Sequence, residues 1–491
     1  MSQVADRSAP PPTATASPAT ATTPRFRQAA ALAVVGVAAL LASLTQSLLI
    51  PVLPEITADL HTTSDNAAWL LTSTLLVGAV SVPVFGRLGD LYGKRLMLLV
   101  SLVALTVGSL VCALSHNLAT LIVGRAITGL SMATIALGIS LIGTMLPPER
   151  AGAGIALISA MLGIGGSLGL PLSGLVAQHA DYHVLFWICV VGGLIGLVGA
   201  WFALSEAPTR ATGTMDIGGA VLLGAGMLSL LLPLAQGSSW GWTNYRTLGL
   251  LAVAVVLLVT FVLVERRRRS PLVDIGTSAR PAVLLTNIAS LCVGFALFAT
   301  LIGTASYVQA PTASGYGFGS SILVSGLCLL PSGLAMLLLS PVSAALSTRF
   351  GPRITLAIGA TIVGIGFLGR IVFTANLWEI VVWTTVAGMG TGIAYAAMPN
   401  LIMRAVPGAE LAAANGLNTL FRSVGSSLAS AIGGAILAAQ TVALGAYVLP
   451  SLGAYRILFA LCAGAALVGA AIALAIPTHR TIPDAALVAA E

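Results

Sequence analysis

The sequence predicts an all-α protein that crosses a membrane many times. Of its 491 residues, 57% are hydrophobic and only 8% are charged, and the mean hydropathy is +1.01. An ordinary soluble protein carries about 25% charged residues, so the composition excludes a typical cytosolic enzyme. The apolar residues also gather into about fourteen runs, most of them near the length of about 20 residues that a membrane helix requires.

Only short turns, polar or marked by Pro and Gly, separate these runs, so the sequence predicts no soluble domain. Residues 1–28 are rich in Pro, Ala, Thr and Ser and are predicted to form a disordered tail. In chain order, the predicted spans are 29–53, 67–86, 96–115, 118–146, 153–178, 184–204, 217–236, 247–264, 282–308, 321–346, 354–373, 377–403, 411–438 and 456–476.

The basic residues predict how the spans are oriented. Cytoplasmic loops of membrane proteins carry an excess of Lys and Arg. With a cytoplasmic N-terminus, the cytoplasmic turns receive most of the 22 basic residues, and the outer turns receive only Arg246, Arg370 and Arg456. If an odd number of spans had been missed, basic residues would be distributed over both sides of the membrane instead of gathering on one. We therefore predict a multi-pass protein of the cytoplasmic membrane with both termini in the cytoplasm.

Internal similarity predicts two related halves. Residues 163–174 share glycine, serine and leucine positions with residues 423–434, and residues 86–95 have a weaker counterpart at 344–353. The offset is about 260 residues in both cases, which indicates a duplicated unit. The predicted organisation is a tail at 1–28, a six-helix half at 29–210, a two-helix insertion at 211–270, a second six-helix half at 271–476 and a cytoplasmic tail at 477–491.

The stretch from Gly86 to Arg95 is the most specific motif of the chain. It is predicted to form a short cytoplasmic turn between the second and third spans. Its glycines permit close backbone approach, its aspartate accepts hydrogen bonds from a neighbouring helix end or an arginine, and its basic residues anchor the turn at the inner leaflet. The residues that define the motif are Gly86, Gly89, Asp90, Gly93, Lys94 and Arg95.

This motif resembles the signature of the major facilitator superfamily, and fourteen spans resemble its branch of drug:proton antiporters. The resemblance implies a two-half helical bundle in which the motif controls the inner gate. Arg125 to Gly129 is similar to the arginine motif of the fourth span, and its arginine is implied to take part in proton coupling. Further similar stretches are the span-five antiporter motif with Gly165, Gly169, Pro171 and Gly174, and the stretches 147–150, 271–274, 307–309 and 418–425.

Two arginines, Arg125 and Arg422, lie inside predicted spans. A guanidinium in the middle of a membrane costs at least ~2.5 kcal/mol, so each must face a cavity or a partner. For Arg125 the alternatives are a coupling role and a structural hydrogen bond to backbone carbonyls. Two cationic side chains in a cavity either favour anionic or polar groups on a ligand or need counter-charges, which the sequence does not reveal.

One feature departs from the antiporter pattern. Related exporters carry an aspartate in the first span, where this chain has Thr45, and no Asp or Glu falls near the middle of any predicted span. Proton coupling usually requires a buried carboxylate whose access alternates. The carboxylate candidates lie at predicted helix ends, whereas Arg125 lies inside a span. The proton site stays open among Arg125, Asp65, Asp216, Asp274 and Glu379.

Small and polar residues inside the spans have two interpretations each. The span-five glycines form either ordinary close helix packing or a pliable seam, bent near Pro171, between two moving halves. Polar side chains either line a substrate path or join helices by hydrogen bonds. The candidates for the path are Thr45, Gln46, Tyr307, Gln309, Asn415, Asn418 and Arg422.

The predicted function is export of small, mostly apolar compounds, such as drugs or a natural product, by alternating access in exchange for protons. No nucleotide-binding or hydrolase motif is present in the sequence, and we predict no catalytic residue, cofactor or metal site. The predicted partners are the substrate, protons and the lipid bilayer, without nucleic acid, and the protein is predicted to be a monomer. The alternatives are an importer or uncoupled facilitator, or a sensor that resembles a transporter but does not turn over.

Overall fold

The computed structural model describes residues 25–207, 210–444 and 447–477, and nearly all of them are helical. The first helices are α1 (Arg25–Ser47), α2 (Leu53–Asp59), α3 (Ser64–Ala67), α4 (Trp69–Tyr92), α5 (Lys94–Ala113), α6 (Leu118–Gly129), α7 (Ala133–Met145), α8 (Pro148–His179) and α9 (His183–Ala203). They are followed by α10 (Ile217–Trp240), α11 (Tyr245–Glu265), α12 (Ile275–Ser278), α13 (Pro281–Gln309), α14 (Ile322–Leu338), α15 (Ser340–Arg349), α16 (Pro352–Val372), α17 (Leu377–Ala405), α18 (Leu411–Ala439) and α19 (Leu452–Ala475).

The predicted number of membrane spans is confirmed. Thirteen helical segments of the described residues are long and apolar enough to cross a bilayer, and α13, with 29 residues, is a further long apolar helix. Two predicted spans are each built from two helices. A short 3₁₀ turn joins α6 to α7 at residues 130–132, and α14 gives way to α15 at Leu339, because a proline follows at the start of the next helix.

Successive spans alternate in direction, so the turns fall on two faces. We call the face with the α4–α5 turn the basic face, since Lys94, Arg95 and the run Arg266 to Arg269 follow or border its turns. The other is called the opposite face. It carries the helices α2 and α3 and the turns that join α8 to α9 and α10 to α11.

The helices pack as two groups with a hairpin at the side. Helix α1 packs against α8 and α9, and α5 packs against α6 and α9. In the second group, α16 packs against α17 and α19, and α13 packs against α18. The pairs α4–α18 and α8–α14 join the groups, and the α10–α11 hairpin rests on α4 and α18 with an apolar contact around Leu76, Leu223 and Leu420. The numerical domain boundaries given above stay predictions.

A β-hairpin interrupts the helical architecture and was not predicted. Strand β1 (Thr441–Leu444) pairs antiparallel with β2 (Tyr447–Pro450), and Thr441 lies opposite Pro450. The hairpin joins α18 to α19 on the opposite face, where the Tyr316 hydroxyl donates a hydrogen bond to the Pro450 carbonyl at 2.6 Å. Strand pairing satisfies backbone groups that leave the helix at this point.

Candidate functional site

Asp90 lies at the centre of the contact between the two helix groups on the basic face. It belongs to the last turn of α4 and is fully buried, with 0% of its surface exposed. Its Oδ2 accepts a hydrogen bond from the Ala413 backbone N–H at 2.8 Å, and its Oδ1 accepts one from Ala412 at 3.2 Å. These N–H groups belong to the first turn of α18, which has no internal partners for them and carries the positive end of the helix dipole. The carboxylate therefore ties α4 to the beginning of α18.

Lys94 completes this contact. Its Nζ lies 3.3 Å from the Asp90 Oδ1 and donates a hydrogen bond to the Gly408 carbonyl at 2.9 Å. Both charged side chains are buried, so each needs the other and its hydrogen bonds to offset the loss of water. We call the group of Asp90, Lys94 and the backbone from Gly408 to Ala413 the basic-face lock.

Two glycines allow the lock to form. A Cβ atom placed on Gly86 would lie 2.6 Å from the Ala412 carbonyl oxygen, so α4 and α18 approach more closely than any larger residue permits. Gly93 has φ = +129°, a value that side chains disfavour, and it alone separates α4 from α5. The prediction that Asp90 lies in a turn from Gly86 to Arg95 was therefore wrong, since the chain is helical up to Tyr92.

Arg95 and Gly89 hold the lock from the side of the first helix group. The guanidinium of Arg95 donates a hydrogen bond to the Trp201 carbonyl at 2.6 Å, and its backbone N–H donates to the Glu206 Oε1 at 3.2 Å. A Cβ on Gly89 would lie 2.6 Å from a methyl group of Leu137. Arg95 thus binds the end of α9.

The span-five glycines pack on two different helices. A Cβ on Gly165 would lie 2.5 Å from the Leu40 carbonyl of α1, and one on Gly169 would meet Ser47 of the same helix. A Cβ on Gly174 would instead lie 3.0 Å from the Leu323 backbone nitrogen of α14. The motif therefore serves close packing within the first group and close contact with the second.

Helix α14 contributes matching small residues to this contact. A Cβ on Gly326 would lie 2.5 Å from the backbone nitrogen of Pro171, and one on Gly333 would lie 2.6 Å from the Ser167 side chain. Pro171 lies inside α8, which continues as one helix through it. The sequence did not single out Gly326, although a glycine within an apolar span is the signal that identifies such a contact.

We expect Gly326→Ala to lower the unfolding temperature of the purified protein by about 2–4 °C. The new methyl group would meet helix backbone, which yields less than a side chain, and overpacking of this kind costs about 1–3 kcal/mol. Thermal unfolding followed by fluorescence measures the effect. Gly464→Ala is the matched control, because a Cβ at Gly464 has no neighbour within 4 Å. An equal unfolding temperature for both variants would contradict the tight α8–α14 contact.

Arg125 joins α6 to α4 in the interior of the first group. Its side chain is buried, and its Nε donates a hydrogen bond to the Leu70 carbonyl at 3.2 Å. The Thr74 hydroxyl donates to the Arg125 carbonyl at 3.0 Å, so the two helices are bonded in both directions. The structural interpretation of Arg125 is thus realised, and its coupling role stays a prediction.

Arg422 lies in the second group, on α18. Its guanidinium carbon sits 4.7 Å from the centre of the Tyr395 ring, and Nη2 donates to the Thr419 hydroxyl at 2.9 Å. Nε and Nη1 are buried and have no hydrogen-bond partner among the described residues. One turn away, the Asn418 amide donates to the Asn287 Oδ1 at 2.9 Å. A polar network therefore joins α18 to α13 and α17 inside the membrane-spanning part.

The predicted carboxylate candidates serve as helix caps where their side chains are described. Asp216 accepts from the Gly219 N–H at 2.8 Å at the beginning of α10, and Asp274 accepts from the Thr277 N–H at 3.0 Å at the beginning of α12. Glu379 forms a capping box with Asn376 at the beginning of α17. The side chain of Asp65 lies outside the described residues. Among the described side chains, Asp216, Asp274 and Glu379 each cap a different helix.

The sequence analysis did not single out Glu265. It is buried at the end of α11, and its Oε2 accepts from the Val273 N–H at 3.4 Å. A Cβ on Gly219 would meet the Glu265 carboxylate and would lie 3.3 Å from the Asp216 carboxyl carbon. Glu265 and Asp216 therefore border the same turn of α10, where Arg268 pairs with Asp216 at 3.2 Å.

Arg370, predicted among the basic residues of the outer side, lies at the opposite-face end of α16 and is buried there. Its guanidinium carbon lies 4.0 Å from the centre of the Phe459 ring. Aromatic residues from three elements surround this position, which explains why a charge at the edge of an apolar run is drawn inward. Tyr307, a predicted path residue, belongs to the same cluster, 5.1 Å from Tyr455 between ring centres.

The other predicted path residues make local contacts. The Thr45 hydroxyl donates to the Ala42 carbonyl at 2.9 Å, and Gln46 is half-buried at the end of α1. Gln309 donates to the Ser325 hydroxyl at 2.9 Å on the opposite face. Asn415 donates to the Leu411 carbonyl at 2.9 Å, and its own Oδ1 has no partner among the described residues.

Comparison with known proteins gives consistent matches over most of the chain. Residues 35–216 and 291–489 match the sequence model described as Major Facilitator Superfamily. The chain is 29% identical over 415 residues to the tetracenomycin C resistance and export protein of Streptomyces glaucescens, covering 83% of this chain and 76% of that protein. It is 28% identical over 392 residues to the multidrug resistance protein Stp of Mycobacterium tuberculosis, covering 79% and 72%.

A solved structure shows the same fold. The crystal structure of the human organic anion transporter MFSD10 (TETRAN) superposes with a TM-score of 0.65 and covers 92% of this chain and 100% of that chain. The sequence identity is 15%, so this likeness concerns the fold alone.

Proposed function

This chain belongs to the major facilitator superfamily and is a multi-pass membrane transporter, and we propose that it exports small, mostly apolar drugs or natural products in exchange for protons. The observation that carries the proposal is the basic-face lock, in which Asp90 binds the first turn of α18. Such a contact closes one side of the bundle and has to break when that side opens. A reversible closure of this kind is what alternating access requires.

The orientation follows from the positive charges. Arg150, Arg280, Arg349 and Arg404 all lie near turns of the basic face, so we assign that face to the cytoplasm and both termini with it. The lock then closes the cytoplasmic side, in the cytoplasmic membrane of the cell. We propose that the protein works as a monomer and that the substrate site lies between the two helix groups near the middle of the membrane.

The relatives support the choice of substrate. One is named for resistance to tetracenomycin C and its export, and another for multidrug resistance. The first name describes resistance together with export, and the second describes resistance to several drugs. The shared family and the name of the first relative support the same direction of transport for this chain.

Uncoupled transport is the second candidate. It is favoured by Thr45, which stands where related exporters carry an aspartate, and by the position of Asp216, Asp274 and Glu379 as helix caps. In the described residues, no carboxylate lies in the middle part of a membrane-spanning helix. A sensor without turnover is less consistent with the structure, because it has no need for a lock of buried charges.

Inverted vesicles that contain the protein test the proposal. We expect a panel of lipophilic drugs, added after an inside-acid gradient is imposed, to dissipate that gradient, because each exported drug molecule exchanges for protons. Quenching of a pH-sensitive dye measures the gradient, and vesicles without the protein are the control. Drug uptake without a pH response would indicate a facilitator. No uptake and no pH response across the panel would favour the sensor.

A further inference from the structure

Three arginines of the described residues are buried in the membrane-spanning part away from the basic face, namely Arg125, Arg370 and Arg422. None of them forms an ion pair with a described carboxylate. Arg125 donates to a backbone carbonyl of α4. Arg370 lies over Phe459 at the opposite-face end of α16, and its three guanidinium nitrogens have no hydrogen-bond partner among the described residues. Arg422 differs from both in its position on α18.

Arg422 belongs to a polar strip on α18. Asn415, Thr419, Arg422 and Ser426 follow one another at spacings of three and four residues, which places them along one side of the helix. We call these residues the α18 polar strip. Adjacent residues of α18 pack on both helix groups: a Cβ on Gly416 would lie 2.9 Å from the Val82 carbonyl of α4, and one on Gly425 would meet the Leu291 carbonyl of α13.

The α18 polar strip therefore lies between the contact with α4 and the contact with α13, where the first helix group meets the second. Such a position borders the path along which a substrate passes between the groups. The strip also holds unused hydrogen-bonding capacity, since Arg422 Nε and Nη1 and Asn415 Oδ1 have no partner among the described residues. Buried polar groups of this kind are normally satisfied, and leaving them unpaired costs free energy.

The chemistry of the unused groups defines what fits them. The unused Nε and Nη1 N–H groups of Arg422 lie in one plane but point in different directions, so each can donate to one oxygen of an anionic group. The ring of Tyr395 covers one face of the Arg422 guanidinium at 4.7 Å, and the buried N–H groups at its edge are the ones without a partner among the described residues. A cation in this strip attracts an anionic group and repels a cationic one.

We propose that Arg422 binds the negatively charged oxygen group, a carboxylate or an ionised phenol, of an aromatic substrate. This inference rests on the proposed export function and narrows its substrate class to aromatic acids. The apolar body of the substrate lies between the helix groups, and its charged oxygen pairs with the free edge of the guanidinium. Cationic drugs are poor ligands of this site.

A matched set of naphthalene ligands tests the proposal by binding alone. The purified full-length protein in lipid nanodiscs is titrated with 2-naphthoate, with neutral 2-naphthamide and with 2-naphthylmethylammonium, and calorimetry or fluorescence gives each Kd. We expect the wild type to bind the naphthoate about tenfold more tightly than the amide and the cation least tightly. Arg422→Gln is expected to remove the preference for the naphthoate and to leave the affinity for the amide unchanged.

Two further variants keep the test decisive. Arg422→Lys retains the positive charge without the planar guanidinium, so we expect it to keep part of the preference for the naphthoate. It serves as the test if Arg422→Gln does not fold. Arg370→Gln removes another buried arginine that stacks on an aromatic ring, and it should leave the preference intact. Equal affinity of the wild type for naphthoate and naphthamide would overturn the proposal, as would loss of the preference in Arg370→Gln and its retention in Arg422→Gln. Binding needs no turnover, so this titration tests the role of Arg422 alone. The proposed export function is tested separately, by the vesicle assay.

Discussion

Asp90→Asn is expected to abolish export while the protein still reaches the membrane. The carboxylate of Asp90 accepts hydrogen bonds from the Ala412 and Ala413 N–H groups and pairs with Lys94. An asparagine has a single acceptor oxygen and turns an N–H₂ group toward a donor, so at least one contact becomes repulsive. Each hydrogen bond to a charged group contributes about 1.5–3 kcal/mol. Loss of this energy shifts the equilibrium between closed and open basic face by about tenfold or more.

Drug resistance of cells that express equal amounts of wild type and variant measures the loss of export. Asp181→Asn is the matched control, because Asp181 is exposed in the turn between α8 and α9 on the opposite face and lies outside the lock. A cysteine introduced at Gly408 reports on the lock itself, since an open basic face should label faster with a water-soluble maleimide. Wild-type resistance in Asp90→Asn together with unchanged labelling would show that the lock has no part in transport.

The spans and the identity of the lock residues were predictable because their signals are local. A run of apolar residues indicates a span in lipid, and the spacing of glycines around Asp90 indicates a close backbone approach. The partner of Asp90 was not predictable. It lies more than 320 residues further along the chain, and the N–H groups that bind the carboxylate belong to alanines, whose identity carries no sign of the contact.

Arg370 and Glu265 illustrate a second limit. Each lies at the end of an apolar run, where a charged residue normally faces water or lipid headgroups, so nothing in the sequence indicates its burial. The structure buries Arg370 over Phe459, which is nearly 90 residues away in the chain, and buries Glu265 beside the beginning of α10. Only the packing of distant helices determines whether a charge at a helix end is covered.

Arg125→Gln is expected to lower proton-driven export more than tenfold and to leave exchange of substrate between the two sides in place. The Arg125 Nε bonds the Leu70 carbonyl, and glutamine is too short to keep this bond. A buried carbonyl left without its donor costs about 1–3 kcal/mol, and the interior of the first helix group loses its fixed positive charge.

Inverted vesicles measure both proton-driven export and substrate exchange. The first is followed as drug-dependent loss of an inside-acid gradient, and the second as exchange of labelled drug without a gradient. Arg246→Gln, at an exposed turn of the opposite face, is the control. If Arg125→Gln dissipates the gradient as the wild type does, proton coupling depends on other groups, and Arg125 has only the structural role of joining α6 to α4.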